Sequence, residues 1–220
     1  SAFLTKSLVK STRDIRVDHI VLLDNDQQKL KTYGEISREL SRRLDPDLTF
    51  EVTSDARAAL TGVDYIITTI RAGGDAGRLF DEQTCLAHGV LGQETTGAGG
   101  FAMAIRSVPT LVYYCTLARE VANPGHLIFN FTNPSGIITQ ALRSKGFDNV
   151  YGICDAPSGF IKQLEEILEI PYGTLDIECY GLNHLSWFRN AKVNGRDVQR
   201  ELLDNPRTYE HSEMRLFTRE

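Results

Sequence analysis

Short runs of β-branched and apolar residues recur along this chain, and a helix-length amphipathic segment follows each of them. His19-Ile20-Val21-Leu22-Leu23 ends on Asp24, and a helical pattern runs from about Gln27 to Arg43. Phe50-Glu51-Val52-Thr53 precedes a brief helix over Asp55 to Leu60, for which Ser54 is the expected cap. Asp64 to Ile70, Leu127 to Thr132 and Val150 to Cys154 continue the strands, with helical patterns near 101–121, 135–145 and 158–169. A chain that returns to a buried strand after each helix satisfies both faces of those strands only in a helix-covered parallel sheet. The expected fold class is therefore α/β, a doubly wound parallel sheet. After Pro171 the period changes. Leu175 to Tyr180 and Ser186 to Val193 alternate like half-buried strands, and Asn194-Gly195 is a tight-turn signal. Residues 1–170 thus read as a dinucleotide-binding domain and 171–220 as the start of a second, α+β region. Ser1 to Val9 read as the first helix of such a domain without the strand and glycine turn expected before it, and Leu216 to Glu220 stop short of a completed second domain.

Charge and cysteine usage narrow the functional classes. A net charge of −5 over 220 residues offers no concentration of Lys and Arg for a nucleic-acid groove or an anionic membrane surface, which leaves small-molecule chemistry. No apolar stretch is read as reaching the roughly 18 residues of a membrane span. Cys85, Cys115, Cys154 and Cys179 are irregularly spaced, which points to a reducing cytoplasm rather than a disulfide framework. Asn130-Phe131-Thr132 has the form of a glycosylation acceptor but lies in an apolar strand, so the match is read as chance.

Open parallel sheets bind ligands at the carboxyl ends of their strands, so the residues just past each strand are the candidates. Asp24 stands where a carboxylate holds the adenosine ribose of NAD and would repel the extra phosphate of NADP; Asp24-Asn25-Asp26 reads equally as an acidic turn capping the next helix. Arg71 and Arg78 are assigned to a glycine-rich loop, where guanidinium groups reach an anion or sugar hydroxyls. Asn133 presents an amide to a ribose, a nicotinamide or a substrate hydroxyl, or else caps the helix that Pro134 opens. Cys154 and His184 are a thiolate and an imidazole suited to one first-row metal ion. Two other uses stand beside this one: Cys154 as a core residue, and Asp155 orienting His184 as the general acid/base of a metal-independent NAD-dependent 2-hydroxyacid dehydrogenase. A non-catalytic dinucleotide-sensing module is a third class. His19, His88, His126 and His211 have no partnered context, and Trp187 reads as packing.

Several stretches, in order over nearly the whole chain, resemble glycoside hydrolase family 4, whose fold is Rossmann-like and related to lactate and malate dehydrogenases. They are Ile70-Arg71 with Arg78, Gly89 to Thr95 followed by Gly97 and Gly99-Gly100, Arg106-Ser107, Asn130 to Pro134, Gly152 to Pro157, and Gly181-Leu182-Asn183-His184. The resemblance implies hydrolysis of glycosidic bonds by an oxidation and elimination route that uses NAD and a divalent metal, usually Mn2+. It implies Cys154 and His184 as metal ligands and Asp155 as a proton donor. Asn133 and Arg78 would contact substrate; Asp24, Ile70, Arg71 and Asn133 would contact NAD. An Asp after the metal cysteine is similar to members acting on 6-phospho-α-glucosides. A phosphorylated glucoside is therefore the implied substrate, α linkage slightly favoured, although Ala156 and Ser158 depart from that subgroup's larger apolar residues. The family's glycine turn, tyrosine base and phosphate-contacting arginine have no counterpart in residues 1–220, which are expected to be inactive alone. Family analogy gives a homodimer or homotetramer, to which the cysteine usage adds a cytoplasmic setting and the net charge the expectation of no nucleic-acid or membrane partner.

Overall fold

The computed structural model describes residues 2–210. Ser1, His211 and the stretch 216–220, on which expectations were placed, lie outside the described residues. In chain order the elements are α1 (Ala2–Ile15), β1 (His19–Leu23), α2 (Gln27–Lys29), a π-helical turn (Leu30–Gly34), α3 (Glu35–Leu44), β2 (Thr49–Thr53), α4 (Ala56–Leu60), β3 (Tyr65–Thr68), α5 (Gly74–Ala87) and α6 (Gly97–Val121). β4 (Leu127–Asn130), α7 (Ser135–Arg143), β5 (Val150–Gly152), α8 (Ala156–Leu168), β6 (Leu175–Leu182), β7 (Leu185–Val193), β8 (Arg196–Asp197), α9 (Gln199–Asp204) and α10 (Pro206–Glu210) follow. The fold is α/β with parallel sheets, as the alternation implies. Two compact units divide the chain: residues 1–66 with 111–127, and 67–110 with 128–220. The parallel strands pair as β1-β2 in the first and as β3-β4-β5, rather than in one continuous sheet.

In the first unit β1 and β2 run in register from His19↔Thr49 to Leu23↔Thr53. The π-helical turn sits where the helix crosses β2. A Cβ on Gly34 would lie 2.7 Å from Val52 Cγ1, so the missing side chain permits the close approach. One cap differs from expectation and one agrees with the acidic-turn reading. Asp55, not Ser54, caps α4, its Oδ1 accepting from Arg57 and Ala58 N–H at 2.9 and 3.1 Å, while Ser54 Oγ accepts from Gln27 Nε2 at 2.8 Å. Asp26 caps α2 through Gln28 and Lys29 N–H, both at 3.0 Å. Those bonds and Lys29 hold its carboxyl below the usual range.

Cys115 belongs to this unit and is 2 % exposed; burial pushes its thiol up to about 11. An unfolded thiol ionises near about 8.5. The folded form therefore keeps a proton that the unfolded chain releases, and this contribution to stability, complete below about 8.5, is lost as pH rises toward about 11. The stability of Cys115→Ala, followed by urea midpoint, is expected to fall less steeply than that of the unaltered chain between pH 8 and 10.5; an identical slope refutes the assignment. All four cysteines are free thiols, and Cys85 is also buried.

In the second unit β4 and β5 pair in parallel from Ile128↔Val150 to Asn130↔Gly152. Phe131 N–H donates to Thr68 O at 3.0 Å where β4 passes β3. Past β5 the chain forms α8 and then the antiparallel order β6-β7-β8. Leu164, Ile167, Leu175, Ala191, Val198 and Leu202 make the core there. Glu165, 1 % exposed, accepts from Thr174 and Leu175 N–H at 2.9 and 3.0 Å, which fixes the turn from α8 into β6.

By length and composition α6 is long and apolar enough to cross a membrane, contrary to the sequence expectation. One face of it is buried, Met103, Ala104, Ser107, Leu111, Cys115 and Ala118 recurring at helical spacing, while Phe101, Ile105 and Tyr113 are exposed. Arg106, in the same helix, is ion-paired with the buried Asp81 of α5.

Candidate active site

Three loops leave the carboxyl ends of β3, β4 and β5, and each carries residues singled out above. At the centre, Asn130 is fully buried and fully engaged. Its Oδ1 accepts from Thr68 Oγ1 at 2.9 Å and Thr132 N–H at 3.2 Å, and its Nδ2 donates to Thr139 Oγ1 at 3.1 Å. Thr132 Oγ1 in turn accepts from Ile70 N–H at 3.0 Å, and Ser135 Oγ donates to Asn130 O at 3.1 Å. A buried amide satisfied on both sides fixes the loops around it, because any shift strands a polar group without water. The sequon match is thus inaccessible to a glycosylating enzyme.

Beyond β3, Arg71 reaches Asp75 at 2.5 Å and Glu94 at 3.3 Å. Arg78 lies in α5 rather than in the loop, because Gly73 and Gly74, at φ 86 and 61, start the helix early. From there it pairs with Glu82 at 2.7 Å and faces Glu94 at 3.6 Å. Its guanidinium pKa is raised, first by the Glu82 hydrogen bond and then by the Glu94 charge. Glu94, to which sequence reasoning gave no role, therefore stands between both arginines. It is held by a tight turn in which Gln93 Oε1 accepts from Thr95 and Thr96 N–H. The signal available in the sequence was a lone carboxylate in a glycine-dense stretch.

Beyond β4, the Asn133–Pro134 peptide is cis and α7 has no side-chain cap. Among the described residues the half-buried Asn133 side chain makes no hydrogen bond, which leaves its amide free. Asp24, in the other unit, ends β1 and accepts from Asp26 N–H at 2.9 Å, as part of the acidic turn.

Beyond β5, Cys154 Sγ lies 3.5 Å from His184 Nε2. The histidine comes from the β6–β7 hairpin, which reverses at Asn183-His184 between the paired Leu182 and Leu185. His184 has φ 60, a left-handed conformation uncommon outside glycine. Gly181 is required beneath it, since a Cβ there would meet Leu185 O at 2.6 Å and the Trp187 ring at 2.8 Å. Trp187 packs over that glycine and stacks with Tyr180, centroids 6.3 Å apart. Asp155 is the first cap of α8, exposed, with a side chain that caps nothing. His184 makes no hydrogen bond to it among the described residues. A cleft of about 960 Å3 opens beside the pair, lined by Ser135, Thr139, Ile153, Cys154 and Asn183 among others.

No group of three His, Cys, Asp or Glu side chains suited to a metal assembles among the described residues, where the pair supplies two candidate donors. The donors fit one ion. A sulfur about 2.3 Å and a nitrogen about 2.0 Å from a shared metal, at a tetrahedral angle, stand about 3.5 Å apart.

A Rossmann-type α/β chain with a thiol and an imidazole meeting past a parallel strand is the class that fold and site define. The chain belongs to the family 4 glycosyl hydrolases, whose profile matches residues 2–170. The 6-phospho-beta-glucosidase BglT of Thermotoga maritima is 35% identical over 204 residues, covering 92% of this chain and 48% of that protein. A 6-phospho-alpha-glucosidase from gut microorganisms, solved with NAD and glucose-6-phosphate, superposes with TM-score 0.87 at 30% identity, over 93% of this chain and 48% of the other. The Thermotoga maritima 6-phospho-beta glucosidase with manganese, NAD+ and glucose-6-phosphate gives TM-score 0.86 at 32% identity, over 96% and 51%. The chain spans about half the length of these proteins. Malate dehydrogenase from Salinibacter ruber, 16% identical with TM-score 0.64, shares the fold.

Proposed function

We propose that the intact enzyme hydrolyses the O-glycosidic bond of 6-phosphoglucosides by its family's redox-elimination route, with NAD+ and a divalent cation such as Mn2+. NAD-dependent members of this family are a known exception to two-carboxylate glycoside hydrolysis. The observation that carries the reading is the 3.5 Å approach of Cys154 Sγ to His184 Nε2. A metal-independent dehydrogenase would instead turn His184 toward Asp155. Relatives bound to NAD, manganese and glucose-6-phosphate give further support.

When bound, the nicotinamide would accept and return a hydride and the cation would polarise sugar hydroxyls. Cys154 as thiolate and His184 through Nε2 would hold the cation. The free Asn133 amide would meet a sugar hydroxyl and the nicotinamide side; Ile70 and Arg71 would border the cofactor; Asp24 would take the adenosine ribose. Arg78, braced by Glu82 and Glu94, would present a fixed guanidinium to the substrate. Asp155 would pass a proton to the departing aglycone oxygen. A cytoplasmic setting belongs to the same reading, because an oxidised Cys154 cannot ligate. So does a second, substrate-side region starting at residue 171, and assembly as a homodimer or homotetramer, which sedimentation of the intact enzyme checks.

The test is release of p-nitrophenol from both anomers of the 6-phosphoglucoside. Turnover is expected only with NAD+, Mn2+ and a thiol reductant together, without net NADH. Turnover that survives exhaustive removal of both cofactors, or NADH accumulating with lactate or malate analogues, rejects the proposal.

A further inference from the structure

The β3–α5 loop carries Arg71, assigned to the cofactor, and α5 carries Arg78, assigned to the substrate. The loop closes on itself through Gly74 N–H, which donates to Arg71 O at 3.0 Å, and Ile70 N–H ties its start to Thr132 Oγ1. Past Ile70 the side chain of Arg106, in α6, takes over. Its Nε donates to Ala72 O at 3.3 Å, its Nη1 to Asp81 Oδ1 at 3.0 Å and its Nη2 to Asp81 Oδ2. Asp81 is 6 % exposed and lies one turn past Arg78 in α5. Two glycines leave room for the guanidinium: a Cβ on Gly73 would meet Arg106 Nε at 3.0 Å, and one on Gly77 would meet Nε and Nη2 at 3.5 Å. One planar group thus fastens the loop and α5 to α6. The Arg71–Asp75 ion pair constrains the loop less, because the Asp75 side chain is 92 % exposed.

We infer that Arg106 is a positioning residue for NAD: its fork holds the Ala72 carbonyl and α5 in one arrangement, so that Ile70 and Arg71 meet the cofactor already in place. The inference rests on the proposed NAD-dependent reading. Three donors of one rigid plane engage two elements at once, which a point-like ammonium cannot repeat. Lysine at 106 would keep a positive charge opposite the buried Asp81 and let go of Ala72 O, so it separates the two jobs of the side chain. A loop that samples several arrangements binds in proportion to the fraction of time it is competent. The loss therefore falls on affinity and spares folding.

Calorimetric titration of the intact, NAD-free enzyme with NAD+ and with AMP tests this. AMP carries only the adenosine end, assigned to Asp24, and is the control. Arg106→Lys is expected to bind NAD+ about tenfold more weakly, as a loop competent about a tenth of the time would, and AMP within about twofold of the unaltered enzyme. Its apo melting temperature is expected to change little. Arg106→Met combined with Asp81→Leu removes the ion pair without stranding a buried charge; it is expected to behave in the same way and carries the test if the lysine variant fails to fold. A folded variant that binds NAD+ like the unaltered enzyme overturns the inference, as does an equal loss for NAD+ and AMP. Failure of both variants to fold overturns it too, since Arg106 is then a brace for the whole unit. Failure of the underlying reading looks different: the unaltered enzyme itself then binds no NAD+.

Discussion

Replacing Cys154 by serine is expected to lower kcat/KM of the intact enzyme for a 6-phosphoglucoside by about 1000-fold or more, with little change in melting temperature. The size follows from what is removed. A Lewis-acidic cation contributes several kcal/mol to stabilising charge that develops in a transition state, and each about 1.4 kcal/mol is tenfold in rate. With one of the two candidate donors found among the described residues gone, the proposed cation site loses its soft ligand. Cys154 is only partly buried, so the hydroxyl costs little in packing. Steady-state rates at saturating NAD+ and Mn2+ measure the loss. A serine enzyme keeping a tenth of the original kcat/KM would show that the sulfur holds nothing essential.

The second large effect concerns stability. Asn130→Asp is expected to cost about 3–5 kcal/mol, read as a fall in the urea midpoint. The side chains are isosteric, so the cost is electrical and directional. Nδ2 now donates to Thr139 Oγ1 at 3.1 Å and faces Thr132 O and Ser135 O, both at 3.4 Å. A carboxylate cannot donate, and an uncompensated charge at a fully buried position carries a penalty of this order. The deficit relative to the unaltered chain is expected to shrink as pH falls and the new carboxyl takes up a proton. An unchanged midpoint at pH 7 would mean that the network around Asn130 contributes nothing to folding.

These two residues also show how much was legible in the sequence. Cys154 and His184 were visible by type, because a thiol and an imidazole past strand-like runs are uncommon. Their meeting was not visible to pattern reading: it depends on a hairpin that reverses at a left-handed His184 and on Gly181 admitting the Trp187 ring. The strands and most helices followed from periodicity, since burial of one face dictates it. Asn130 reads by itself only as a chance glycosylation match, because an amide inside an apolar run looks incidental until its neighbours in space are known. Arg78 was assigned to a loop because three glycines precede it, yet two of those glycines open α5 in the left-handed region. Ser54 and Asp55 are both good caps, and adjacent residues of equal propensity cannot be ranked without the backbone. Glu94 has no role readable from the sequence because its partners, Arg71 and Arg78, are brought to it by a strand end and a helix.

That arginine cluster has an electrostatic corollary. Two guanidinium groups face Asp75, Glu82 and Glu94, so three carboxylates more than neutralise two cations. An anion near this cluster meets no net attractive charge from it, so the cluster by itself contributes nothing to long-range steering. Any contact with these two arginines must come instead from exchanging one oriented hydrogen bond for another at close range, which dissolved salt screens little.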